Sequence, residues 1–170
     1  MKVQDLNLYK TPNDFRGKSK ITVQLWWMVQ SVFFKPSPQV LYGWRRFLLR
    51  CFGAEIGKGV IIRPSAQITY PWKVKIGDYS WIGDDVVLYS LGDITIGKNA
   101  VISQKSYICT GTHDYTKVDF PILAKKIVIG DECWLATDVF VSPGVTIKNG
   151  AVVGARSTVI KDLDSNSVYV

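Results

Sequence analysis

Residues 127–163 read IVIGDECWLATDVFVSPGVTIKNGAVVGARSTVIKDL. From Ile129, an aliphatic residue returns at every sixth position: Leu135, Val141, Ile147, Val153 and Val159. A helix repeats every 3.6 residues and a strand every two, so neither accounts for the step. Working outward toward the N-terminus, the same step links Ile56, Ile62 and Ile68, then Ile76, Ile82 and Leu88, then Ile96, Ile102 and Ile108. Glycine follows the aliphatic position at Gly57, Gly77, Gly83, Gly97, Gly130 and Gly154, and turn pairs such as Pro64-Ser65, Pro143-Gly144 and Asn149-Gly150 fall between the hits. These small residues are expected to bend the chain sharply, at φ values that other residues avoid. A coil with short flat sides, each contributing one inward aliphatic residue, stacks such a sequence into a continuous apolar column.

The pattern resembles the hexapeptide-repeat acyltransferases. Within them it is most similar to the colanic acid biosynthesis type of acetyltransferase, with the galactoside, maltose and chloramphenicol acetyltransferases as broader relatives. The resemblance covers roughly residues 40–167 and is most specific in TGTHDY at 110–115 and in the 127–163 run. It implies an all-β fold, a left-handed parallel β-helix with a short N-terminal helical arm, and this hand is opposite to the usual crossover. The expected division is an arm or cap over 1–53 and a β-helix over 54–170.

The step breaks once. Counting by six from Ile108 reaches Asp114, Phe120 and Lys126, and the series resumes at Ile129, three residues out of phase. Residues 114–126 are therefore expected to leave the coil as a loop, with His113, the single histidine, at its root. Loops on rigid scaffolds are common places for sites. Transfer of an acetyl group to an alcohol needs a base near neutral pH to take the hydroxyl proton, which suits imidazole.

The resemblance assigns the roles. His113 is the catalytic base, and Asp114 is expected to orient it. Trp134 walls the acetyl and pantetheine arm of acetyl-CoA. Ala136 and Thr137 adjoin the thioester, with the Thr137 backbone N–H stabilising the charge that develops on its oxygen. Ala155 and Arg156 lie where relatives pass the pantetheine along the backbone; Arg156 replaces a small residue of the relatives and either reaches a CoA phosphate or lines an exterior corner, and Lys161 is a candidate for a phosphate contact. Tyr115, Ser90 and Asp93, with Asp114, are candidates for the acceptor hydroxyls; each is also an ordinary turn residue. Acetyl-CoA is the co-substrate and no metal is expected. Relatives are trimers, so a homotrimer with sites between chains is implied. They also continue past the position of Val170 with a stretch that closes over CoA, so the expectation here is either a trimmed chain or a less enclosed CoA pocket.

The hexapeptide scaffold also carries carbonic anhydrases and nucleotidyltransferases. One histidine per chain cannot supply the three ligands of the former, and residues 1–55 lack the Rossmann-like domain of the latter. An acetyltransferase for a sugar or polysaccharide intermediate remains, with one for serine or an antibiotic, or a non-catalytic scaffold, as alternatives.

Length and composition agree with one domain and an appendage. The chain has 170 residues, 47% of them hydrophobic and 21% charged, which excludes disorder. Net charge is +7, and residues 1–50 account for all of it, with nine Lys or Arg against Asp5 and Asp14. The same segment holds Trp26, Trp27, Phe33, Phe34, Trp44 and Phe47. Cys51, Cys109 and Cys133 are odd in number and widely spaced, which argues against disulfides and zinc and for a reducing cytoplasmic setting. No secretory signal is read at the start, and the apolar run Leu25–Phe34 falls well short of the roughly 20 residues that span a bilayer.

Two helices are expected over 21–34 and 38–52, split by Lys35-Pro36-Ser37-Pro38. In the second, Val40, Leu41, Trp44, Phe47, Leu48 and Cys51 suggest an apolar face against the β-helix, with Arg45, Arg46 and Arg50 turned elsewhere. The arm would cap the open end of the coil. Its basic, aromatic character also suggests a membrane surface through residues 21–52, and the resemblance, to a family that works on lipid-carried polysaccharide intermediates, implies the inner face of the cytoplasmic membrane. No nucleic-acid motif is present.

Overall fold

The computed structural model describes residues 4–170 and turns the six-residue step into a left-handed parallel β-helix of about 6 turns. Three parallel sheets form its sides. The first stacks Glu55–Ile56, Val74–Ile76, Ile94–Ile96, Ile127–Ile129 and Thr146–Ile147. The second stacks Ile61–Ile62, Trp81–Ile82, Val101–Ile102, Trp134–Leu135, Val152–Val153 and Val168–Tyr169. The third stacks Gln67–Ile68, Val87–Tyr89, Tyr107–Cys109, Phe140–Val141 and Thr158–Val159. Register sets like on like, so that Ile56, Ile76, Ile96, Ile129 and Ile147 pair in one row.

Every aliphatic residue of the series is buried. The residue two before it is often buried as well, at Val60, Ala66, Val86, Ala100, Val139, Val145 and Ala151, so a side can point two residues inward rather than one. Polar residues at that position bond to the next coil: Ser80 Oγ donates to the Gly97 carbonyl at 2.6 Å, and Ser106 Oγ to that of Ala136 at 3.0 Å. Cys133 Sγ donates to the Lys148 carbonyl at 3.1 Å.

Gly144 and Gly150 take the positive φ expected of turn residues, but the glycines of the six-residue step serve a different purpose. Those that follow the aliphatic position do not occupy the left-handed region; that conformation falls on turn residues such as Asp85, Lys105, Asp138 and Arg156. What demands glycine is the approach of the next coil. A Cβ on Gly97 would lie 2.5 Å from Asp131 N and 2.6 Å from Gly130 C, and one on Gly77 would lie 2.6 Å from Gly97 C.

The arm consists of α1 (Lys20–Val29), which runs into a π-turn over Gln30–Phe34, and α2 (Tyr42–Cys51). Ser19 caps α1 by accepting from Thr22 N–H. Here the expected amphipathic face is inverted. Arg45 is fully buried, while Val40, Leu41, Trp44 and Phe47 are exposed. The reason is the unpaired carbonyls of the first coil. Arg45 Nε donates to Ile62 O at 2.6 Å, Arg46 to Val60 O at 2.8 Å, and Arg50 to Ile56 O and Gly57 O. From α1, Trp26 Nε1 donates to Ile68 O at 2.8 Å. Open strand edges need donors more than they need methyl groups. Leu48 and Leu49, not Trp44 and Phe47, supply the apolar contact.

The excursion from the coil starts earlier than the count by six placed it. Gly111–His113 pairs antiparallel with Ile122–Ala124, so the projecting element is a hairpin rooted at Gly111, with Asp114–Pro121 as its connection. Thr110 fixes the root: its hydroxyl donates to Tyr89 O and accepts from Gly92 N–H.

Candidate functional site

His113 ends the outgoing hairpin strand, in register with Ile122. Its imidazole is half-buried and stacks on the Phe120 ring, with centroids 4.2 Å apart and planes at 10°. The Nδ1 atom lies 2.9 Å from the Phe120 carbonyl oxygen. A carbonyl only accepts, so Nδ1 carries a proton, and in the neutral imidazole the lone pair is on Nε2. Phe120 holds this position at φ 46°, a conformation uncommon outside glycine. Tyr9 approaches from the N-terminal segment, its ring centroid 6.4 Å from that of His113. That segment is tied to the hairpin where Asp5 N–H donates to Val118 O at 2.7 Å.

Asp114 is not brought to His113. Its Oδ1 accepts from the Thr116 N–H and hydroxyl, Lys117 lies 3.8 Å from its other oxygen, and the Thr116 bonds hold its carboxyl below the ordinary range. The orienting contact comes from the Phe120 carbonyl instead. Ser90, expected to meet the acceptor, is fully buried. It accepts from Tyr70 N–H and donates to Tyr70 O, which makes it a tie between coils. Asp93 does reach the surface, in an open groove of about 370 Å³ between Lys73 and the hairpin residues Ile122–Ala124. Lys73 Nζ donates to Phe15 O at 2.7 Å, and burial lowers its pKa. Tyr115 is exposed on the hairpin connection.

The other named residues lie elsewhere on the prism. Trp134 is half exposed on the second side, its Nε1 donating to Ser103 Oγ at 3.1 Å. Ala136, Thr137, Ala155 and Arg156 follow on the turns joining the second side to the third, in two successive coils. Arg156 N–H donates to Thr137 O at 2.9 Å, which stacks the two turns. The Ala136 N–H is used in the ladder between coils, donating to Val153 O at 2.9 Å. The N–H groups of Thr137 and Ala155 have no partner among the described residues. Arg156 is well exposed, and its Nε lies 3.7 Å from Asp138. Lys161 is exposed on the opposite edge, where the third side turns into the first and from which the hairpin also springs.

The candidates thus fall on two edges of one side. His113, Asp93, Tyr115 and Lys161 share one edge; Thr137, Ala155 and Arg156 share the other, with Trp134 next to it on the second side. Sequence reasoning missed Phe120 and Tyr9. Phe120 carried no signal because it contributes a backbone carbonyl and an apolar ring, neither of which marks a site by residue type. Tyr9 comes to His113 only through the fold of the first segment. No group of three or more His, Cys, Asp or Glu side chains among the described residues could hold a metal ion.

No family model matches the chain. It is 64% identical over 166 residues to the protein of Escherichia coli K12 named as the colanic acid biosynthesis acetyltransferase WcaF, covering 98% of this chain and 91% of that one. It is 28% identical over 127 residues to the galactoside O-acetyltransferase of the same organism, covering 73% of this chain and 63% of that one. The solved hexapeptide-repeat acetyltransferase VCA0836 of Vibrio cholerae, complexed with acetyl coenzyme A, superposes with a TM-score of 0.79 at 24% identity. That match covers 88% of this chain and 81% of the other.

Proposed function

Because the chain belongs to the hexapeptide-repeat acetyltransferases, in the colanic acid biosynthesis branch, we propose that it moves acetyl from acetyl-CoA to a hydroxyl of a sugar or polysaccharide intermediate, with His113 as base. The observation that carries this reading is the 2.9 Å contact of His113 Nδ1 with the Phe120 carbonyl, which leaves Nε2 open to accept a proton.

Nε2 takes the hydroxyl proton as the acceptor oxygen attacks the thioester carbon. The C–O bond forms, and the carbonyl oxygen gains negative charge. The unpartnered Thr137 N–H receives that charge, a donor that strengthens most in the transition state. Collapse breaks the C–S bond, and the proton on Nε2 passes to the departing CoA sulfur. The pantetheine lies along Trp134, Thr137 and Ala155, with Arg156 and Lys161 at phosphates. The acceptor occupies the groove at Asp93, next to Tyr115.

The separation of His113 from Trp134 and Thr137 on the single chain supports a site formed between chains of a homotrimer, with His113 of one meeting Trp134 of the next. The enzyme works in the cytoplasm, at the inner face of the membrane, and uses no metal.

Acetyl-CoA turnover, followed by thiol release over a panel of nucleotide sugars and lipid-linked glycans, tests the reading. Acceptor-dependent turnover that falls by roughly 10²-fold or more in His113→Ala supports it. Unchanged turnover in that variant removes His113 from the chemistry.

A further inference from the structure

The arm turns Arg45, Arg46 and Arg50 onto the coil and leaves a second set of apolar side chains outside. Along α1 and the π-turn, Ile21, Leu25, Met28 and Val32 recur at steps of four, three and four, and all are exposed, Ile21 at 80%. They form a stripe distinct from the residues that α1 and the π-turn bury, Val23, Trp26 and Phe34. The two faces of the helix are therefore both apolar, and the inner one alone is covered. From α2, Trp44 and Phe47 stack at 5.8 Å, also outside. Trp44 Nε1 donates to Phe33 O at 3.0 Å, which joins this pair to the end of the first stripe. A single uncovered surface results, with Trp27, also exposed, beside it.

Exposed lysines stand at both ends of the stripe, Lys18 and Lys20 before it and Lys35 after it. No acidic residue lies between Asp14 and Glu55 in the sequence. Such a surface would repel a second copy of itself but complements a sheet of phosphates. Indole and phenyl groups backed by aliphatic side chains and flanked by lysines match a helix that lies in the plane of a bilayer interface. No helix among the described residues is long and apolar enough to cross a membrane, which fits a surface contact.

We infer that the outer face of α1 and α2 docks on an anionic lipid surface, with Ile21, Leu25, Met28, Val32, Trp44 and Phe47 entering the interface and Lys18, Lys20 and Lys35 pairing with headgroup phosphates. This deepens the membrane-side location proposed above and does not depend on acetyl transfer, so either can fail alone.

The test is co-sedimentation of the full chain with phosphatidylcholine vesicles containing about one third phosphatidylglycerol, read beside tryptophan emission. Native protein is expected to partition, with its emission shifted to the blue. The triple variant Ile21→Ser, Leu25→Ser, Met28→Ser is expected to lose about tenfold or more in partitioning while keeping its thermal midpoint. Lys18→Gln, Lys20→Gln, Lys35→Gln should lose binding to anionic vesicles by a similar factor. Absence of native binding, or equal binding by the serine variant, overturns the inference. So does a fall in the serine variant's sedimentation mass, which would make the face an interface between copies. Acetyl transfer to a soluble acceptor should persist in the serine variant; its loss in His113→Ala alone concerns the chemistry and not the surface.

Discussion

His113 Nδ1 and the carbonyl oxygen of Phe120 stand 2.9 Å apart across the hairpin, and the two rings stack at 4.2 Å. A backbone acceptor thus does what a carboxylate does beside many catalytic imidazoles. Phe120→Ala should remove the stacking partner and loosen the ring, lowering kcat roughly tenfold with little change in KM for acetyl-CoA. Asp114→Asn should leave kcat within about twofold, because its carboxylate serves Thr116 and Lys117. A larger loss in Asp114→Asn than in Phe120→Ala would reverse these assignments.

His113 springs from the edge between the third and first sides, whereas Trp134 lies on the second side. Co-refolding inactive His113→Ala with Trp134→Ala at low acetyl-CoA should therefore restore activity. Chance pairing makes about one quarter of inter-chain sites intact, provided the assembly is cyclic. Activity that stays at the average of the two variants would indicate a site within one chain.

Gly97 sits where a Cβ would come within 2.5 Å of Asp131 N. Gly97→Ala should cost about 1–3 kcal/mol, because the neighbour is backbone and cannot swing aside. A fall in thermal midpoint measures it. An unchanged midpoint would show that adjacent coils can part without loss.

Arg45 donates to Ile62 O, Pro38 O, Gln39 O and Ser37 Oγ from a fully buried position. Arg45→Ala would leave four acceptors without this donor and should cost about 3 kcal/mol or more in denaturant unfolding. Arg45→Lys should recover little of it, because an ammonium cannot reproduce the planar fork.

Burial raises the thiol pKa of Cys109 and Cys133 above the usual 9.0. Folding therefore favours their protonated forms. Their contribution to stability is full below the ordinary thiol pKa and declines as pH rises past it. A disulfide reagent at pH 8 should titrate exposed Cys51 quickly and the other two slowly. Three equally fast thiols would contradict the burial.

The β-helix was legible because the step of six is a packing rule, and all the residues it selects, from Ile56 to Val159, are buried. His113 was legible for the complementary reason: the step fails beside it. Other features lay beyond a reading by residue type. Arg45, Arg46 and Arg50 look like a solvent face until the bare carbonyls of Ile56, Val60 and Ile62 are placed beneath them. Ser90 looks like a surface hydroxyl until Tyr70 offers both a donor and an acceptor. The Phe120 contact uses an atom that every residue possesses, so no side-chain pattern could mark it.

The arginines over the first coil have one more effect. A stack of parallel strands is a template, and its exposed end invites strands from other molecules to add on and lengthen it into a fibre. With guanidinium and indole groups bonded to the carbonyls of Ile56, Val60, Ile62 and Ile68, an incoming strand finds those acceptors occupied. The arm thereby acts as a terminator of polymerisation, keeping a repeat that could propagate indefinitely at a fixed length.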